Sequence, residues 1–187
     1  MVRNYTDEPV APEALERIIA AGRKAPSAGF SQGQVFVVVT EPERRSEIAR
    51  LAHEDGYVAQ GFDPWISKAP VHIVICVRKE TYLERYREPD KGGPEAVTAQ
   101  EEGWPVPYWW VDSGASMMLV LLATVNEGLA AGFLGSHRMG EIKEYLDIPD
   151  DVAPIGIVTI GHPAPDRAGS RKRGWRPEPD VIHRERW

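Results

Sequence analysis

Cysteine is nearly absent from this chain: Cys76 is the single one among 187 residues, and it lies inside the apolar run VHIVICV. An intrachain disulfide framework is therefore excluded, and one buried thiol suits a reducing compartment. Excess positive charge is also lacking. A formal net charge of -6 gives no general electrostatic reason to bind nucleic acid. Long hydrophobic runs are missing too. The longest, GASMMLVLLATV at 114–125, is flanked by Asp112 and Glu127; it is too short to span a bilayer and predicts a buried helix with no membrane role. No basic and hydrophobic leader opens the sequence, so a cytoplasmic protein is expected.

Several chemistries lack their signatures. His53, His72, His137, His162 and His183 are scattered and none belongs to HExxH, so no metal site is expected. Ser27, Ser31, Ser113 and Ser116 do not sit in a GxSxG elbow, which leaves a hydrolase triad without an anchor. Neither GxGxxG nor a Walker loop follows the first strand-like run, so a Rossmann or P-loop unit is not supported. No repeat or low-complexity stretch divides the chain, and a single domain over 1–187 is expected.

What is present alternates between helical and strand patterns. Pro12 can start a helix whose inward face is Leu15, Ile18 and Ile19, and Pro26 stops it. Residues 35–40 predict a buried strand and 42–53 an amphipathic helix. Residues 57–69 are irregular or briefly helical, with Trp65 and Ile66 buried. Residues 71–77 form a second strand. The stretch 79–110 is a long excursion with helical turns near 80–86 and the aromatics Trp104, Tyr108, Trp109 and Trp110, which suit a lid or an interface. A helix over 112–126 is apolar nearly all round, so it is either central to a core or shared between subunits. Gly128 stops it. A short strand, a turn at Gly135 and Ser136, a helix in MGEIKEYLDI and a strand over 153–161 follow, and Val181 and Ile182 offer a small terminal strand. Uncharged strands alternating with helices predict an α/β or α+β sheet covered on both faces.

Positive charge and one loop carry the chemical clues. Arg3 opens the chain, while Arg171, Lys172, Arg173 and Arg176 crowd a tail at 165–187. That tail is either a solvated basic segment or converges with Arg3 on a phosphate, which arginine forks bind well. The loop APSAGFSQ at 25–32 is almost free of charge and joins the first helix to the first strand. His137, beside the 135–136 turn, is a candidate to line a pocket. His72 reads as a strand residue satisfied locally.

Together these segments resemble the FMN-dependent nitroreductase family. VRNYTDEPV is similar to the end of its RRSxRxYxxxPV head, APSAGFSQGQVFVVV to its APSxxNxQPWxFvVV, and GLAAGFLGS to its helix–strand–loop facing the flavin. APIGIVTIGHPA, the basic run and PEPDVIHRERW resemble its ending. The resemblance implies an α+β fold: an α/β/α sandwich around a mainly antiparallel sheet, forming a homodimer with a C-terminal strand exchanged between subunits. It implies FMN bound at the interface. Arg3 and one or two of Arg171, Arg173 and Arg176 would hold the phosphate. Pro26, Ser27 and Ala28 would line the ribityl chain and ring edge from one subunit. Phe133, Leu134, Gly135 and Ser136 would lie along the isoalloxazine from the other, with the Gly135 N–H facing N5. Asp112 would accept hydrogen bonds from ribityl hydroxyls. The implied reaction is ping-pong hydride transfer from NAD(P)H through flavin N5 to a nitroaromatic, quinone or similar acceptor, with the cofactor carrying the chemistry.

Departures from the family pattern are also visible. The sequence begins Met1, Val2, Arg3, without the RRS that supplies an arginine and a serine contact. Either an upstream start, or FMN binding that is weakened or compensated by the basic tail, is expected. Phe30 stands where the family has asparagine; it cannot make that polar contact, and it is expected at the cofactor site, stacking near the flavin or narrowing the substrate site. Gly33 and Gln34 replace the family's proline and tryptophan. Other implied readings are a flavin-fragmenting relative that forms 5,6-dimethylbenzimidazole, a deazaflavin-binding relative, and a non-enzymatic flavin- or ligand-binding dimer.

Overall fold

The structure is a computed structural model, describing residues 1–166 and 174–187. Its elements run α1 (Pro12–Arg23), β1 (Gln34–Val39), α2 (Pro42–Leu51), α3 (Glu54–Ala59), α4 (Trp65–Lys68), β2 (Val71–Arg78), α5 (Glu80–Tyr86), α6 (Tyr108–Asn126), β3 (Ala130–Leu134), α7 (Met139–Tyr145) and β4 (Val152–Gly161). The strands make one sheet in the order β1-β2-β4-β3, and all three pairings are antiparallel. The expected α+β architecture is thus present.

Alternation along the strands separates two cores, because successive side chains point to opposite faces. Val71, Ile73 and Ile75 of β2 pack with Ile18 of α1 and Val120 of α6. Val74 and Cys76 face the other way, among Ile48 of α2, Trp65 and Ile66 of α4, and Ile142 of α7. β2 is buried from Val71 to Val77 because it has a strand on either side and helices on both faces, which explains its uncharged sequence. β1 was expected to be buried in the same way. Among the described residues it is instead an edge strand, paired only with β2, and most of it is half-buried.

β3 lies at the opposite edge, and the N-terminal segment covers it. Val2 N–H donates to the Ala131 carbonyl at 3.0 Å, Thr6 N–H to His162 at 3.0 Å, and Tyr5 bridges to Pro163. The Tyr5 hydroxyl locks this segment down, lying 2.8 Å from the Thr159 hydroxyl. β1 therefore carries the edge with no backbone partner among the described residues.

The central helix starts earlier than its apolar run suggests, at Tyr108, so its 19 residues are long and apolar enough to cross a membrane by length and composition alone. It packs instead on α1 and the sheet, with an inverted pattern. Asp112, Ser113, Ser116 and Thr124 are buried, while Val111, Met118, Leu122 and Val125 are exposed. Each buried polar group has a partner: Ser113 and Thr124 donate to carbonyls one turn back at 2.6 and 2.8 Å, and Ser116 donates to the Gly22 carbonyl at 2.9 Å. Gly22 permits that approach, since a Cβ there would stand 2.6 Å from Val120. The tail positions Val181 and Ile182 belong to no strand in the single chain.

His72 is buried in β2, with Nε2 2.7 Å from the Ile66 carbonyl. A carbonyl only accepts, so Nε2 carries the proton, and Nδ1 is left buried without a partner. The local satisfaction expected of this ring is thus half complete. Burial lowers its pKa from 6.5 to about 4, against the raising effect of the Ile66 bond. Between those values the unfolded chain binds a proton that the folded chain refuses, so stability falls as the pH drops through that window, by up to about 3 kcal/mol. Thermal unfolding followed from pH 7 to 4.5 should show this loss, and His72→Gln should flatten the dependence. An unchanged slope in the variant would assign the loss to other groups.

Candidate flavin site

The sequence candidates fall into two groups at the same end of the sheet but at its opposite edges. β1 begins at Gln34, level with Val77 of β2, and β3 runs down toward that same end through Leu134, paired with Ile157. The 25–33 loop leads into β1 and the 135–138 turn leaves β3. Three strand spacings separate those edges, roughly 14 Å at about 4.8 Å each.

The first group is a tightly bonded loop. Ala28 N–H donates to Asp112 Oδ2 at 2.8 Å, Gln32 N–H to Ser27 Oγ at 2.9 Å, and Ser31 Oγ–H to the Ala28 carbonyl at 2.6 Å. Gly29, Phe30 and Gln32 all have positive φ, at 61°, 60° and 55°, a conformation that bulky residues hold only when their surroundings impose it. Pro26 is exposed beside them. Asp112 and Ser27 were expected to face the ribityl chain; the structure shows each with an oxygen committed to the loop backbone. Behind the loop lie buried Tyr82 and Trp109. Burial and the neighbouring Asp112 carboxylate push the Tyr82 phenol pKa upward, so the hydroxyl stays protonated.

The second group lines a cavity of about 430 Å³ formed by Leu134, Gly135, Ser136, His137 and Arg138 on one side and Ala52, His53, Gly56, Tyr57 and Gln60 on the other. His137 thus reaches a pocket, as its place beside the turn suggested. Phe133 does not join the lining: alternation turns its ring to the α6 face, where it packs over Gly156. The α3 contributors were missed in the sequence, since EDGYVA is a single short helix without apolar periodicity, entered through left-handed His53 with φ 57°. Glu54 fastens α3 to α4: its carboxylate accepts from Ile66 N–H at 2.5 Å, from Ser67 N–H at 3.0 Å and from the Ser67 hydroxyl at 2.5 Å.

Arg3 connects to this second group through aromatics. Its guanidinium lies 5.3 Å from the Phe62 ring centroid and 6.0 Å from that of Trp65, and both rings pack edge-on against Tyr57. Arg3 makes no side-chain ion pair among the described residues, and its Nε is buried without an acceptor. The Arg3 backbone N–H donates to Asp166 Oδ2 at 2.8 Å, and a guanidinium backed by rings with no side-chain ion pair among the described residues fits a phosphate. The cavity's exposed glycine backbone, with Gln60 and Ser136 beside it, fits the polar edge of a flat heterocycle. The residues present therefore suit FMN. Arg176 is exposed and donates to the Asp180 carbonyl at 3.1 Å, while Arg171 and Arg173 lie outside the described residues.

Removing the Asp112 anchor tests the loop geometry. Asp112→Ala should destabilise the protein by about 1–3 kcal/mol in urea unfolding, the scale of losing a buried charge-assisted bond. Asp112→Asn, which keeps an acceptor oxygen, should lose less. Equal losses would show that the Ala28 bond is not what matters.

Comparison with known proteins supplies the family. The model of the Nitroreductase family matches residues 1–162. An FMN reductase [NAD(P)H] of Bacillus subtilis is 33% identical over 192 aligned residues, covering 98% of this chain and 69% of the relative. A putative NADH dehydrogenase/NAD(P)H nitroreductase of Archaeoglobus fulgidus is 28% identical, covering 100% and 92%. Among solved structures, B. megaterium NfrA2 superposes with a TM-score of 0.76 at 26% identity, covering all of this chain and 70% of that one. The hypothetical oxidoreductase YcnD of Bacillus subtilis gives 0.73 at 30%, with the same coverage. With its sheet, its two loop groups and this match over most of its length, the chain belongs to the nitroreductase family.

Proposed function

We propose that this protein is an FMN-dependent NAD(P)H oxidoreductase acting as a cytoplasmic homodimer, with each flavin site built from two chains. The observation that carries the proposal is the pairing of an anion-ready Arg3 with the cavity at Gly135 and Ser136. Family membership and relatives named as FMN reductase and NAD(P)H nitroreductase support it.

In this assignment Arg3 binds the phosphate from its aromatic backing, and Gln60 and Ser136 bind the polar edge of the ring. Gly135 N–H would be the donor to N5. The 25–32 loop of a second chain closes the site, since the same chain's loop stands at the far edge of the sheet. The exposed apolar side of α6 supports association, because such a face is stable only when covered. The open edge of β1 is suited to receive the partner's Val181 and Ile182 as an added strand. FMN held by these residues would supply hydride chemistry between NAD(P)H and a nitroaromatic, quinone or similar acceptor, in separate half-reactions. The protein's work is to bind, orient and exclude water, which agrees with the lack of a hydrolase triad.

An absorption spectrum of the purified protein after incubation with FMN is the direct test. The expected result is a yellow protein, bleached anaerobically by NAD(P)H and recoloured by a quinone or nitroaromatic. A colourless protein that ignores FMN would contradict the assignment.

A further inference from the structure

The segment between β2 and α6 touches the 25–33 loop through α5, and two glycines make the contact possible. A Cβ at Gly33 would stand 2.5 Å from the Tyr82 ring, and one at Gly29 would stand 2.6 Å from the Tyr86 ring. Over this contact Arg85 Nε–H donates to the Gly29 carbonyl at 2.9 Å. Its two terminal nitrogens grip both oxygens of Asp90 at 2.7 and 2.6 Å, and one of them also reaches Glu88 at 2.9 Å. A guanidinium is planar, so the two-point hold on Asp90 aims Nε in one direction.

The other pole of the same peptide unit is bonded as well: Phe30 N–H donates to the Ser27 carbonyl at 2.8 Å. With its carbonyl and its amide both engaged, the Gly29 to Phe30 peptide has a fixed plane. Phe30 then follows at φ 60°, a left-handed conformation unfavourable for a residue with a Cβ. Phe30 is 72% exposed, so packing within the chain does not account for that conformation. Bonds on both sides of it do: beyond the fixed peptide, Ser31 N–H donates to the Ala28 carbonyl at 3.1 Å and Gln32 N–H to Ser27 Oγ at 2.9 Å.

We propose that Arg85 is a positioning residue for the substrate side of the flavin site: by fixing the Gly29 to Phe30 peptide it aims the Phe30 ring as a wall against which a flat aromatic or quinone acceptor lies. The inference rests on the flavin oxidoreductase assignment above. A phenyl ring recognises a flat conjugated ring by offset or edge contact and offers no hydrogen bond to a phosphate or sugar, which leaves the acceptor or the isoalloxazine as its contact and the ribityl chain to its neighbours; FMN affinity in Phe30→Ala separates the two. Asp90 and Glu88 tie this wall to the segment before α6, so changes in that segment reach the acceptor through Arg85.

The test is steady-state kinetics of the FMN-loaded enzyme with NAD(P)H and menadione, together with FMN titration and amide exchange at Phe30 in the purified protein. Arg85→Ala and Phe30→Ala should each raise the menadione KM about three- to ten-fold, the size of a lost aromatic contact, with kcat and FMN affinity unchanged. The double variant should be no worse than Phe30→Ala alone, because Arg85 acts through that ring. Arg85→Lys should not rescue, since an ammonium lacks the planar fork. Additive effects, an unchanged KM in Arg85→Ala, rescue by lysine or a weakened FMN affinity would each overturn the proposal. If the unaltered protein neither binds FMN nor oxidises NAD(P)H, the functional assignment itself fails. Amide exchange then decides the remaining point: faster exchange at Phe30 in Arg85→Ala supports the positioning role, and unchanged exchange overturns it.

Discussion

The inverted packing of α6 is the constraint on which the other features depend. A helix normally buries its apolar side; this one buries Asp112, Ser113, Ser116 and Thr124 alongside Trp109 and Val120 and turns Met118, Leu122 and Val125 outward. Small polar residues allow α6 to approach α1 closely at Gly22, and every buried oxygen among them finds a donor or acceptor, so the arrangement avoids the cost of unpaired groups. Two consequences follow. Asp112 is available to anchor the loop ahead of β1, and an apolar stripe is left facing away from the chain's own core.

The sheet order adds a second constraint. With β1 and β3 as opposite edges, the bonded loop at 25–33 and the cavity at 134–138 share an end of the molecule without sharing a wall. Among the described residues no hydrogen bond joins them. In the proposed dimer a ligand would take one of these surfaces from another chain, and the outward stripe of α6 offers the place where that chain would sit. The geometry of the sheet and the inversion of the helix thus point to the same assembly.

Much of this was legible in the residues. β2 could be read because a strand with two neighbours and two covered faces tolerates no charge, and VHIVICV has none. The stop at Gly128 followed from its positive φ requirement. The aromatics of the excursion were expected to need a surface, and Trp104 packs among Tyr82, Tyr86, Tyr108 and Trp109. The edge position of β1 was not legible, since an edge is defined by the absence of a neighbour and composition does not report it. Nor was the wall formed by His53, Tyr57 and Gln60: a single helical turn or two has no period to detect, and its placement depends on Glu54 reaching the backbone of α4. Phe133 illustrates a third case, in which the period of two in a strand separates it from Leu134 even though the two are adjacent in the matching segment.

The proposed shared site would make flavin binding and self-association one equilibrium. Sedimentation of the FMN-loaded protein, recorded at a protein wavelength and at the flavin visible band over a dilution series, tests that linkage most directly. The flavin should travel only with the dimer boundary and appear free as dilution populates the monomer. Flavin bound stoichiometrically to a sedimenting monomer would contradict the account.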